Sequence, residues 1–267
     1  MQWQYEEFHS MEHHPLRGDA ERYPDFDDIP DDWIPKRKPF LTEELNLQAN
    51  TQYGSNVGGV HTDTETGKKY YIKFPHAEQA HVEAAMGELY EKWGIPTVKP
   101  TVISHNGKVA VSSEWNDSLE KIRPTDYPEL MKTKHHAESI AKMHHAAIIT
   151  GNRDILGLVG DNIMRNKDTD QLVSLDQGGS MHFRAQGGDK PYEKNIDEVE
   201  SFRNPKYMTN TVFGAVDNHH PDAFKRAIEP FKTVPDTEIR SVLNKHGLER
   251  FSDIMIARKN LLVSRYG

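Results

Sequence analysis

Lys73 lies in the apolar run Tyr70-Tyr71-Ile72-Lys73-Phe74, about fifteen residues after Gly58 and its neighbours Gly54 and Gly59. Glycines in a turn beside a strand let backbone amides approach an anion closely, because no Cβ stands in the way. Neither the dinucleotide fingerprint nor the P-loop pattern is matched, and several glycines in a hairpin are more often just a turn. A lysine on the following strand is a cation within reach of the same anion. Two glutamates on the next segment, Glu83 and Glu88, are candidate partners for it. Taken as a helix from Glu78 to Trp93, that segment has an apolar stripe of Val82, Met86, Leu89, Tyr90 and Trp93. At 100° per residue Glu83 borders the stripe and Glu88 points away from it. A salt bridge from helix to strand would therefore use Glu83.

Further on, Asn162 and Asp176 flank two short apolar runs, Ile163-Met164 and Leu172 to Leu175, joined by the turn-like stretch Asn166 to Asp170. Folding that hairpin brings an amide and a carboxylate together, and such hard oxygen ligands suit Mg²⁺ bridging phosphates. A surface hairpin can also hold an Asn and an Asp for no chemical reason. Gly178 and Gly179 leave room for backbone beside the metal. A phosphate loop, a cation, its carboxylate partner and two oxygen ligands are the parts that phosphoryl transfer from ATP requires.

The elements that must position these groups are legible from pattern. Strand-like runs at Val57 to Thr62 and Lys69 to Phe74 flank the turn Asp63 to Gly67. After the helix, stopped by Gly94 and Pro96, come Thr97 to Ser104 and Lys108 to Ser113 around His105-Asn106-Gly107. This order describes a small antiparallel sheet with one helix packed on it. From about Pro128 the chain turns helical: Thr133 to Ile149, then Asp222 to Lys232, Asp236 to His246 and Ser252 to Arg265. The expected fold class is α+β and bilobal. Residues 1–45 form an acidic Pro-containing arm, 46–117 a nucleotide-binding lobe, and 118–267 a catalytic, metal-binding helical lobe.

Composition bounds the functions. The formal charge is −8, of which residues 1–45 carry −7 from twelve acidic and five basic side chains. The arm also holds Pro15, Pro24, Pro30, Pro35 and Pro39 and no apolar period, the signature of an extended segment. An acidic total argues against a sequence-independent nucleic-acid partner. No apolar stretch is long enough to span a membrane and the first residues are too polar for a signal peptide, so a cytoplasmic location is expected. The absence of Cys excludes a disulfide framework, a thiol nucleophile and the usual structural zinc sites.

The series Gly54-Ser55-Asn56-Val57-Gly58-Gly59, Lys73, Glu83, Asp154, Asp161-Asn162-Ile163 and Asp176-Gln177-Gly178-Gly179 resembles the atypical kinases of the HipA-like and phosphatidylinositol 3-/4-kinase-like group. Bacterial and phage kinase-like proteins are similar through Asp176 to Gly187, and the likeness covers residues 50–190. It implies a protein-kinase-like fold and an ATP- and Mg²⁺-dependent transferase acting on a protein Ser or Thr, in the host cytoplasm if phage-encoded. By resemblance, the Gly54 to Gly59 loop and Lys73, held by Glu83, would bind the phosphates. Backbone near Glu114 and Trp115 would hold adenine, Asn162 and Asp176 would bind Mg²⁺, and Asp154 would be the catalytic base. The kinase interval from base to metal-binding Asn is five residues, whereas Asp154 to Asn162 is eight. Asp161 therefore competes for the role of base. Transfer of AMP by the same fold, or nucleotide binding without catalysis, are the alternative functions.

Fifteen histidines invite a metal reading. His135-His136 and His144-His145 are nine apart, about half a turn round a straight helix, so the two pairs cannot share one ion. Solvated or packing histidines are the expectation. Arg184 and Lys190, close after Asp176, are placed to contact phosphate, with exposed basic residues the default reading.

Overall fold

The computed structural model describes residues 45–47, 57–105, 107–157, 160–184 and 188–267. The acidic arm, apart from Leu45, and Gly54, Ser55 and Asn56 lie outside the described residues.

Strands β1 (Leu45–Leu47), β2 (Gly58–Asp63) and β3 (Lys69–Lys73) precede helix α1 (Ala77–Lys92), and β4 (Thr101–His105) and β5 (Lys108–Glu114) follow it. They form one antiparallel sheet in the order β1-β2-β3-β5-β4. The chain leaves this sheet through Trp115 to Ser118 and enters a second one. There β6 (Leu119–Lys121) pairs with β7 (Ile163–Asn166), which pairs with β8 (Leu172–Ser174). Between β6 and β7 run the short α2 (Tyr127–Leu130) and the long α3 (Lys134–Thr150). The remainder is helical: α4 (Glu198–Ser201), α5 (Met208–His219), α6 (Ala223–Ala227), α7 (Glu229–Thr233), α8 (Asp236–Lys245) and α9 (Ser252–Tyr266). This is the expected α+β arrangement of a small sheet and a larger helical part.

Helix α3 is the axis of the helical part. Its residues from Ile140 to Thr150 are buried except Lys142, and it packs on α5, α6, α9 and β8. Gly151, at φ 69°, stops it, the left-handed conformation that glycine adopts without strain. His144 and His145 sit inside this core against Phe213, Phe224 and Tyr266, with His145 Nε2 2.7 Å from the Phe224 carbonyl. They are packing histidines, and burial holds both well toward the neutral form.

The helix packs on the sheet as expected: its stripe Val82, Met86, Leu89, Tyr90 and Trp93 joins the core of the helical part, and the small Ala80 and Ala84 meet Val102 and Val111 of the sheet. Helix α1 is thus buried on two sides, alanines allowing the sheet to come close. The expected helix at Asp222 to Lys232 is broken at Ile228 into α6 and α7, because Pro230 cannot supply the amide a continuous helix needs. The expected strand from Thr97 begins only at Thr101: Lys99 takes a positive φ of 51° and Pro100 lacks an amide. Helix α5 and strand β6 lack an equivalent in the sequence reading.

Candidate active site

Strand β3 aims Lys73 into the space beneath the small sheet, where the side chain is buried. Its Nζ lies 2.9 Å from Glu83 Oε2 and 3.1 Å from Asp176 Oδ2. Glu83 comes from the second turn of α1 and is 2% exposed; the Asp176 side chain, just past β8, is 40% exposed. Glu88 sits elsewhere, 2.7 Å from Lys245 of α8. Register explains the glycines nearby: Gly58 pairs with Lys73 and Gly59 with Ile72. A Cβ on Gly58 would stand 2.4 Å from the Ile72 carbonyl oxygen, so the close strand contact beside Lys73 requires glycine.

Hairpin β7–β8 delivers the remaining groups. Ile163 pairs with Ser174, and the Leu175 amide donates to the Asn162 carbonyl at 2.9 Å. Asn162 Nδ2 donates to the Asp154 carbonyl at 2.6 Å and to its carboxylate at 3.2 Å. The Asn162 amide oxygen is the atom left for a cation. The three extra residues between Asp154 and Asn162 are taken up in a loop with positive φ at Gly157 and Gly160. A Cβ on Gly157 would stand 2.3 Å from Asp161 Oδ1 and 3.2 Å from Asn162 Cγ. Asp154 itself follows α3 closely, its amide donating to Asn152 Oδ1 at 2.9 Å.

Electrostatics sets the protonation of the group. Lys73, Glu83 and Asp176 together carry one negative charge in excess. Burial alone would lower the Lys73 pKa, but the Asp176 and Glu83 carboxylates outweigh it and hold the ammonium charged. Burial opposes the Asp176 carboxylate, yet Lys73 and the Gly178 amide, 2.9 Å from Oδ1, bring its pKa below the usual value. The excess falls on Glu83, which burial raises to about 7 against the pull of Lys73. Burial also raises Asp154 to about 6, opposed by the Asn162 amide and reinforced by Asp176 and Asp161. A site of hard oxygen donors with surplus negative charge fits a divalent cation such as Mg²⁺.

Sequence reasoning missed Gln79 and misplaced Lys190, which both shape the loop after Asp176. Gln79 Nε2 donates to the Gly178 carbonyl at 3.1 Å. It lies one helical turn before Glu83, and that i, i+4 spacing was the available signal. Lys190, expected to be an exposed cation, is half-buried and donates to the Gly179 carbonyl. Burial, with Arg153 adding repulsion, lowers it to about 7. Arg184 is exposed as expected. Glu114 ends β5, paired with Tyr70, and the Trp115 amide donates to the Lys69 carbonyl at 2.9 Å, so this strap between the two sheets is anchored to β3.

No protein-family model and no curated protein sequence matches the chain. Among solved structures, the Helicobacter pylori proinflammatory kinase CtkA superposes with a TM-score of 0.56, covering 83% of this chain and 96% of its own, at 12% identity. The kinase domain of Mycobacterium tuberculosis PknI (TM-score 0.36, 8% identity, 80% and 96% covered) and the choline kinase LicA of Streptococcus pneumoniae (0.33, 12%, 84% and 95%) overlap too loosely to carry weight. At such identity the CtkA likeness speaks to the fold alone. The chain therefore has a kinase-like fold, a small antiparallel sheet and one helix set on a larger helical part.

Proposed function

We propose that the chain is an ATP- and Mg²⁺-dependent phosphotransferase whose acceptor is a Ser or Thr hydroxyl of a protein. The observation that carries this is Lys73 held between Glu83 and Asp176, at the join of the kinase-like fold's two parts. On this reading Lys73 binds the nucleotide phosphates and Glu83 fixes its position. Gly58 and Gly59, with Gly54, Ser55 and Asn56 before them, line the phosphates, and backbone near Glu114 and Trp115 receives the adenine. Asn162 and Asp176 hold Mg²⁺, which when bound screens phosphate charge.

Asp154 is the base of this proposal. Its carboxylate lies within hydrogen-bond distance of the Asn162 amide, so it adjoins the proposed metal ligands. Raised to about 6, it is ionised at neutral pH and still basic enough to accept a hydroxyl proton. Gly157 packs against both Asp161 and Asn162. The resemblance to HipA-like kinases favours a protein acceptor, and the similarity in fold to the kinase CtkA supports phosphoryl transfer.

Incubation with ATP labelled at the γ-phosphate is expected to transfer label to protein, and ATP labelled at the α-phosphate is not. Asp176→Ala should abolish transfer and remove the Mg²⁺-dependent part of ATP affinity in calorimetric titration. Undiminished Mg-ATP binding by that variant sinks the assignment.

A further inference from the structure

A second cluster lies at the opposite end of the β7–β8 hairpin from Asn162 and Asp176. The first turn of α3 turns two adjacent imidazoles onto one carboxylate in the hairpin loop. His135 Nε2 is 3.1 Å from Asp170 Oδ2. His136 Nε2 is 3.3 Å from Asp170 Oδ1 and 2.9 Å from its carbonyl oxygen. One ligand atom from each residue lies within 4.8 Å of the others. We propose that His135, His136 and Asp170 form a binding site for a divalent transition ion of the Zn²⁺ type.

Zinc bonds to imidazole nitrogen and carboxylate oxygen run about 2.0–2.2 Å, which sets tetrahedral ligands roughly 3.3 Å apart. The 3.1 Å from His135 Nε2 to Asp170 Oδ2 matches that edge, and a ligand nitrogen of His136 lies within 4.8 Å of the other two ligand atoms, close enough for a small side-chain adjustment to complete the set. Two nitrogens and one oxygen also favour a borderline ion over Mg²⁺, which prefers oxygen alone. Hydrogen bonding explains the cluster less completely. A neutral imidazole has one N–H, and His136 Nε2 faces two oxygens at once.

The carboxylate is held in advance. Asp170 takes a positive φ of 58° and its amide donates to the Asn166 carbonyl at 2.8 Å. Arg165 Nε donates to Oδ1 at 2.5 Å, which leaves Oδ2, the oxygen beside His135, for the ion. A ligating carboxylate steadied through its other oxygen is the usual outer-shell arrangement. His135 and Asp170 also line an open cleft of about 500 Å³ with Glu138, Ser139, Lys142 and Thr169, so water or an outside ligand can complete the coordination. Ligation places the His136 ring proton on Nδ1, which is buried with no hydrogen-bond partner among the described residues. The expected affinity is accordingly below that of a closed four-ligand structural site. The ion would tie the start of α3 to the hairpin that presents Asn162 and Asp176.

The test uses the full chain stripped with a chelator, titrated with Zn²⁺ by calorimetry and with Co²⁺ by visible absorption. One ion per chain is expected, with the intense bands of tetrahedral Co²⁺ and a melting temperature raised by Zn²⁺. His135→Ala removes an exposed ligand, and Asp170→Asn keeps a residue that tolerates positive φ. Each should weaken Zn²⁺ at least about tenfold, or 1.4 kcal/mol, whereas Asp176→Asn should leave it unchanged. Unchanged Zn²⁺ affinity in His135→Ala or Asp170→Asn, as binding through histidines elsewhere would give, overturns the site. So does a Co²⁺ spectrum without tetrahedral bands.

Discussion

Asp154 is where the protonation of single residues decides most. Its carboxyl has a folded pKa raised to about 6 by burial, against 3.8 when free. For proton acceptance the ionised form is needed, so transfer should fall tenfold per pH unit below about 6 and level off above it. Stability runs the other way. A raised carboxyl contributes stability below its unfolded pKa and loses it as pH rises through the folded value. Asp154→Asn should thus be inactive yet more stable than the parent at pH 8, with no such advantage at pH 4. Chemical denaturation of both proteins at the two pH values checks the stability half. A gain that is larger at pH 4 would mean that burial does not raise this carboxyl.

Among the elements, α1 is the one that both positions the site and joins the two parts of the molecule. It carries Glu83 to Lys73 from one turn and Glu88 to Lys245 and His246 of the helical part from another. Lys92 adds a contact to Glu238 of α8 at 2.5 Å. Glu83→Gln should lower turnover at least about tenfold, or 1.4 kcal/mol in barrier, because Lys73 loses its fixed partner. Glu88→Gln removes only a half-exposed pair and should cost less than about 1 kcal/mol of stability, with turnover nearly unchanged. Steady-state kinetics on the two variants separates them, and the reverse ranking would show that α1 acts through its α8 contact. The facing of Glu83 could be read from sequence because helix phase depends only on spacing. The hairpins were legible for the same reason, through apolar alternation around Gly and Asn turns. Helix α5 was not, since Thr209, Asn210 and Thr211 open it with residues that favour turns, and only Phe213 and Val216 packing into the core makes it helical. Strand β6, three residues long, exists only because β7 is there to pair with it. Lys190 could not be placed at all, because its contact with Gly179 depends on how the chain returns after residue 184.

For the molecule as a whole, one buried cation ties the chain's last helix to the loop that carries Asp154. Arg258 of α9 is 1% exposed and donates to the Ile148 and Ile149 carbonyls at the end of α3. It reaches the Glu193 carbonyl at 2.8 Å and Glu198 Oε2 at 2.5 Å, and packs over the Tyr192 ring. Glu198 in turn accepts from Arg153 Nε at 3.2 Å, the residue immediately before Asp154. Carbonyls at a helix end need donors, and here a side chain more than one hundred positions away supplies them. Arg258→Met keeps much of the volume but leaves the buried Glu198 with the half-exposed Arg153 as its remaining cation, so it should cost up to about 3 kcal/mol, short of a fully unpaired buried charge. Adding Glu198→Leu removes the weakly paired charge and should recover a good part of that loss, leaving as the residue of the effect the Ile148 and Ile149 carbonyls with one donor fewer, the Gly151 amide and the Tyr192 hydroxyl still serving them. Urea unfolding of the single and double variants measures both steps. If the double variant is no more stable than Arg258→Met, the ion pair is not what Arg258 contributes, and its bonds to the end of α3 are.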